Sequence, residues 1–175
     1  MEHDPAWFAA ARREMRRIRS VLGAVAVEVH HIGSTSIPGI LAKPVIDLCL
    51  EVSGLSELDG QEAAMGALGY EALGEYGIPR RRFFLRNDEA GVRTHHVHAF
   101  AAGDSEVRRH VAFRDYMIAH PAAARAYGSL KGELLREHPS DIEAYMDGKD
   151  SFIKEHQRKA LECAEQRPVL RLSTR

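Results

Sequence analysis

Nothing in this sequence supplies a long apolar run, a paired-cysteine motif, a strong excess of either charge or a low-complexity stretch, and each absence excludes something. A membrane-spanning helix needs about 20 consecutive apolar residues, and no segment of the 175-residue chain approaches that. The opening MEHDPAW has no basic region followed by an apolar one, so it does not read as a signal peptide; a cytoplasmic protein with no membrane partner is expected. A formal net charge of −1 argues against a protein that coats a polyanion, so extended nucleic-acid binding is not expected. Cys49 and Cys163 stand far apart and form no CxxC, which fits free thiols in a reducing compartment rather than a disulfide framework.

Histidine, in contrast, is plentiful: there are ten, with His30 beside His31 and with His95, His96 and His98 in one short stretch. The length suits a single domain over residues 1–175. Phe8, Ala11, Met15, Ile18, Leu22 and Val25 recur every three to four residues and predict an amphipathic helix. Arg12, Arg13, Arg16, Arg17 and Arg19 occupy its other faces, either as a solvated surface or as a phosphate contact. Residues 25–32 and 45–52 read as strands, 56–68 as a helix, 70–76 as a weak strand, and 81–86 with 92–100 as a hairpin.

Beyond these the pattern is helical. Asp104 or Ser105 caps a helix to about Ala119, His120-Pro121 starts another, and Ser140-Asp141-Ile142-Glu143 resembles a capping box opening a last helix to about Ala164. The expected class is α+β: a mixed sheet over residues 24–102, a helical part over 104–164 and a loosely held tail over 165–175.

The second strand alternates. Ile46, Leu48, Leu50 and Val52 share one apolar face, while Asp47, Cys49 and Glu51 share the other. A carboxylate mid-strand among apolar residues is costly without a partner. Just upstream, Gly33-Ser34-Thr35-Ser36 follows a strand; its glycine permits close backbone approach, and its amides and hydroxyls suit an anion. A plain turn would look the same. His96 and His98 share a face of the last strand, as hydrogen-bonded residues or as metal ligands. In the triplet Arg80-Arg81-Arg82, alternation sends Arg80 and Arg82 to one face and Arg81 to the other; the arginines are phosphate forks or edge-strand charges. Lys43, Lys131 and Lys149 are phosphate contacts or surface lysines.

A Gly-Ser turn followed by an acid on an apolar strand resembles the signature of the polymerase-beta-like nucleotidyltransferases. Closer still, the runs 31–39, 42–48, 93–98 and 110–116, with His120-Pro121, Tyr127, Lys131, Tyr145, Lys149, Phe152 and Ile153, resemble the GrpB family. That resemblance implies a minimal nucleotidyltransferase-like mixed sheet flanked by helices; relatives also occur fused to dephospho-CoA kinase. It implies a nucleoside triphosphate and a small-molecule or protein acceptor as partners. It also implies a divalent metal, Mg²⁺ or Mn²⁺, with Zn²⁺ as the alternative. Gly33, Ser34, Thr35, Ser36, Lys43, Arg80 and Arg82 are the nucleotide-binding candidates, Asp47, His96 and His98 the catalytic ones, and Asp47, Glu51 and His98 the metal ligands. One departure matters: Cys49 stands where the superfamily carries its second acid. Two rival functions follow, a non-catalytic nucleotide or CoA-type binder, and a metal-dependent hydrolase built on Asp47, His96 and His98.

Overall fold

A computed structural model describes residues 1–166. Of the tail expected over 165–175, residues 165 and 166 close the last helix, and Arg167 to Arg175 lie outside the described residues. Five strands form one mixed sheet: β1 (Ala26–Ile32), β2 (Ile46–Val52), β3 (Glu71–Ala72), β4 (Arg82–Asn87) and β5 (Arg93–Ala101), in the order β1-β2-β5-β4-β3. Among the described residues only the β2–β5 pair is parallel. That pairing sets Asp47 opposite His96 and Cys49 opposite His98, and the antiparallel β4 then places Phe83 opposite His98.

Helices cover both faces. Ile46, Leu48, Leu50 and Val52 pack with Val97, Ala99 and Phe84 against Trp7, Ala11, Ile18 and Leu22 of α1 (Ala6–Leu22). Helix α1 also buries Glu14, a charge the apolar periodicity does not announce; Val25 falls beyond the helix in a tight 3-10 turn. On the opposite face, Ile32, Cys49 and Phe100 pack with Val107 of α4 (Ser105–Ala119). Helices α5 (Pro121–Glu137) and α6 (Ile142–Gln166) complete that side, Tyr127 joining Ile37, Ile40, Met117 and Phe152.

Three local expectations change. The helix expected over 56–68 is two short ones, α2 (Leu55–Asp59) and α3 (Glu62–Ala67), broken at Gly60 and Gln61. The weak strand expected over 70–76 shrinks to two residues followed by a loop. The last helix is capped by Asp141, which accepts from Ala144 N at 2.9 Å, so the cap lies one residue after Ser140, and the helix continues past Ala164 to Gln166. Helix α4 is capped by Asp104, which accepts from Glu106 N at 2.9 Å. Among the described residues no helix is long and apolar enough to cross a membrane.

Candidate functional site

Asp47 lies near the start of β2 on the face that carries His96 and His98. Its Oδ1 is 2.9 Å from His96 Nδ1. Asp47, His96 and His98 each offer one ligand atom, and these atoms lie within 4.8 Å of one another. Directly above them the chain turns at Gly33, whose φ is 68°. A Cβ at Gly33 would lie 2.8 Å from Asp47 Cβ and nearer still to the carboxylate. The glycine is therefore required by the close approach of the loop to Asp47.

The cluster forms one wall of a cavity of about 590 Å³ between the sheet and the helical part. Lys43, Lys131 and Lys149 line the same cavity, with Ser34, Tyr127 and Tyr145. Lys131 is 5% exposed; its Nζ donates to Ser34 Oγ at 2.8 Å and to Leu41 O at 2.5 Å. Burial pushes its pKa down to about 8, the nearby Lys149 adds to that, and Asp47 opposes it. Lys149 Nζ sits 4.3 Å from the Tyr145 ring centroid and Lys43 Nζ sits 5.9 Å from the same ring, a cation–π arrangement on both counts. The Lys149 pKa is lowered by burial and then by Lys43. Three ammonium groups line the cavity with Asp47 as its one lining carboxylate, an arrangement whose charge suits a multiply charged anion.

The histidines are held as hydrogen-bonding groups. Arg81 Nη1 donates to His98 Nδ1 at 3.3 Å and Arg93 Nη1 to His96 Nε2 at 3.1 Å. A guanidinium only donates, so His96 carries its proton on Nδ1 and gives it to Asp47. Burial, then His110 and Arg81, push the His98 pKa down to about 3, so this ring is neutral. A neutral imidazole is the form that ligates a metal. The donor set of two imidazoles and one carboxylate fits Mn²⁺ or Zn²⁺ better than Mg²⁺, which favours oxygen. A metal held by all three residues would displace the proton shared by His96 and Asp47.

The remaining candidates divide. Gly33, Ser34, Lys43, Asp47, His96 and His98 line the cavity. Thr35 and Ser36 are buried and shape the loop instead: Thr35 Oγ1 donates to Val45 O at 3.2 Å and accepts from His31 Nε2 at 3.0 Å, and Ser36 Oγ donates to Gly33 O at 2.6 Å. The amides of Ser36 and Ile37 also close this turn, onto Gly33 O and Ser34 O, so the loop is not an open nest of amides. Glu51 lies too far along β2 to reach Asp47; its Oε1 accepts from His30 Nε2 at 2.7 Å. Arg80 is exposed beside Asp104 at 3.5 Å. Arg82 pairs bidentately with Asp59 at 2.6 and 2.8 Å, because its register partner Ala99 belongs to the α1-side core.

Of the arginine triplet, the one that reaches the cluster is Arg81, through His98. Cys49 is fully buried, its thiol pushed up to about 12 by burial and then by Glu51, and it packs beneath α4. Alternation alone did not find His110, which lines the cavity from α4. The sequence leaves Lys131 and Lys149 open as phosphate contacts or surface lysines, since their helices give no local sign of which lysine turns inward. A more open hollow of about 600 Å³ at the α5–α6 turn, lined by residues 137–143, carries none of these groups.

Comparison with known proteins places the chain in a family. The family described as GrpB protein matches residues 1–159. The UPF0157 protein YqkA of Bacillus subtilis (strain 168) is 41% identical over 152 residues, 87% of this chain and 44% of YqkA. The UPF0157 protein PA4798 of Pseudomonas aeruginosa is 36% identical over 152 residues, 86% of this chain and 62% of that protein. This chain thus spans less than two thirds of the length of either relative. The crystal structure of conserved protein GrpB from Enterococcus faecalis superposes with a TM-score of 0.89 at 37% identity, over 95% of this chain and 99% of that one. The chain belongs to the GrpB family.

Proposed function

We propose that this GrpB-family chain binds a nucleoside triphosphate with a divalent cation and transfers its nucleotidyl group to a small-molecule or protein hydroxyl. The observation that carries the reading is a single cavity joining the Asp47–His96–His98 cluster to Lys43, Lys131 and Lys149. A triphosphate is the common biological ligand with enough charge to satisfy three lysines while bringing oxygens to a cation. The sequence likeness to nucleotidyltransferases supports the same reading.

The roles follow from position. Lys131, held by Ser34 and Leu41 O, presents a fixed ammonium to the phosphates; Lys43 and Lys149, flanking Tyr145, neutralise the rest. Gly33 keeps the loop tight over Asp47. Asp47 and His98 would hold the cation, which would neutralise phosphate charge and lower the pKa of an attacking hydroxyl. His96, oriented by Asp47, is the group within reach to accept the acceptor's proton.

The test is transfer of label from α-³²P nucleotides to metabolite and protein pools with Mn²⁺ or Mg²⁺. Wild type should transfer, faster with Mn²⁺ because imidazole suits it better, and Asp47→Asn should not. Equal transfer by both proteins would exclude the mechanism, and binding without transfer in any pool would leave the nucleotide-binder reading. One observation favours a hydrolase instead: two of the three ligating groups are imidazoles, a set that also suits zinc hydrolysis. Tightly held zinc in the purified protein, together with hydrolysis of phosphate esters, would select that reading.

A further inference from the structure

The loop joining β3 to β4 has a costly backbone and no part in the core. Tyr76 at φ 44° and Arg80 at φ 64° adopt left-handed conformations without being glycine, which persist only where surroundings enforce them. Here the enforcement is visible. Buried Arg81 donates from Nε to Glu75 O at 3.2 Å and from Nη2 to Tyr76 O at 2.7 Å. Arg80 N donates to the Glu75 carboxylate at 2.6 Å, and Phe83 N to Gly74 O at 2.8 Å.

What this scaffolding delivers is the Tyr76 ring. It stacks on Phe83 with centroids 5.3 Å apart and planes at 16°, yet the residue is 66% exposed, so its outer face meets solvent. Phe83 in turn packs on His96 at 5.3 Å and on His98 at 5.1 Å. A line of rings therefore runs from the Asp47 cluster, across β5 and β4, to an exposed tyrosine. Strand spacing puts β4 roughly 10 Å from β2, on the sheet face that carries Asp47.

We infer that the outer face of Tyr76 is the stacking platform for the base of the bound nucleotide. The inference rests on the nucleotide reading above and adds where the far end of the ligand lies. Phosphates sit among Lys43, Lys131 and Lys149 on the β2 side, the reacting phosphorus beside Asp47, and the sugar spans Phe83 to bring the base over Tyr76. Arg81 is a positioning residue that ties the loop to His98. A π-face accepts any base, so the platform makes the site tolerant of base identity.

The experiment is calorimetric titration of the full chain, in Mn²⁺, with a non-hydrolysable ATP analogue and separately with inorganic tripolyphosphate. Tyr76→Ala should weaken the ATP analogue about tenfold, the scale of one lost base stack, and leave tripolyphosphate unchanged; Tyr76→Phe should bind both like wild type. Unchanged tripolyphosphate binding shows that the variant is folded. Unaltered ATP-analogue affinity in Tyr76→Ala, or equal weakening of both ligands, overturns the platform. Wild type that binds tripolyphosphate but the ATP analogue no better overturns the platform and leaves the lysine cavity standing. Failure to bind either ligand removes both readings.

Discussion

At Gly33 the backbone is left-handed and the missing side chain makes room for Asp47. Gly33→Val therefore has two penalties, a β-branched residue at φ 68° and ψ −172°, a region open essentially to glycine alone and costing about 1–3 kcal/mol, and a collision with the carboxylate of the cluster. Thermal melting should fall by several degrees and nucleotide binding should vanish with it. A variant that loses binding at an unchanged melting temperature would show that the glycine serves only the ligand, which is how the local pattern reads. The difference arises because the contact with Asp47 crosses from a loop to the next strand, where no sequence window looks. Lys131 sets a second expectation. Its pKa of about 8, below the usual 10.5, means it loses its proton as pH rises through 8, and the protonated form is the one that attracts phosphate. The ratio of wild-type to Lys131→Met affinity for tripolyphosphate, which cancels the ligand's own titration, should shrink between pH 7 and about 9.5. Lys149, also depressed, leaves some residual dependence in both proteins. A ratio constant with pH would show that Lys131 does not contact the anion as a cation.

Between elements, α1 and β4 are clamped by a buried ion pair. Glu14, 3% exposed, accepts from Arg86 Nη1 at 2.6 Å, and Arg86 Nη2 donates to His95 Nδ1 at 2.9 Å on β5. Removing one partner of a buried pair costs about 3–5 kcal/mol; here Arg17 Nη1 also donates to Glu14 at 3.0 Å, which holds the loss to about 3 kcal/mol. Arg86→Leu should lose that much in urea unfolding, and adding Glu14→Leu should recover part of it. Equal losses for the single and double variants would mean that packing, not charge, holds α1. The strands themselves were legible, because their alternation separates Ile46, Leu48, Leu50 and Val52 from Asp47. Which arginine of the triplet faces the cluster was not. Alternation correctly separated Arg81 from Arg82, but only the pairing of Arg82 with Ala99 says which side is the core. Glu51 was misplaced for a related reason: a shared face does not make a shared site, and His30 on β1 captures it.

Over the whole molecule, a net charge of −1 conceals a segregation that only folding reveals. The sheet brings the cluster from β2 and β5, α5 brings Tyr127 and Lys131, and α6 brings Tyr145 and Lys149, all to one cavity. Local periodicity gave the α+β class, set Asp47 on the face opposite Ile46 and Leu48, and put His96 on one face with His98; that these faces meet depends on the pairing of β2 with β5. The lysines of α5 and α6 converge through long-range packing, so the sequence leaves them open as phosphate contacts or surface lysines. Cys49, fully buried beneath α4, leaves Asp47 as the lone carboxylate of the cluster; one carboxylate holds a hard cation weakly until ligand phosphates add oxygens. Cation and nucleotide should therefore bind together and depend on Asp47. The direct measurement is titration of a non-hydrolysable ATP analogue into wild type and Asp47→Asn, each with and without Mn²⁺. Wild type should bind the analogue at least tenfold more tightly with Mn²⁺ than without it, a coupling of about 1.4 kcal/mol, and Asp47→Asn should show no such gain. The same Mn²⁺ enhancement in both proteins, or none in wild type, would contradict a cation-assisted nucleotide site at Asp47.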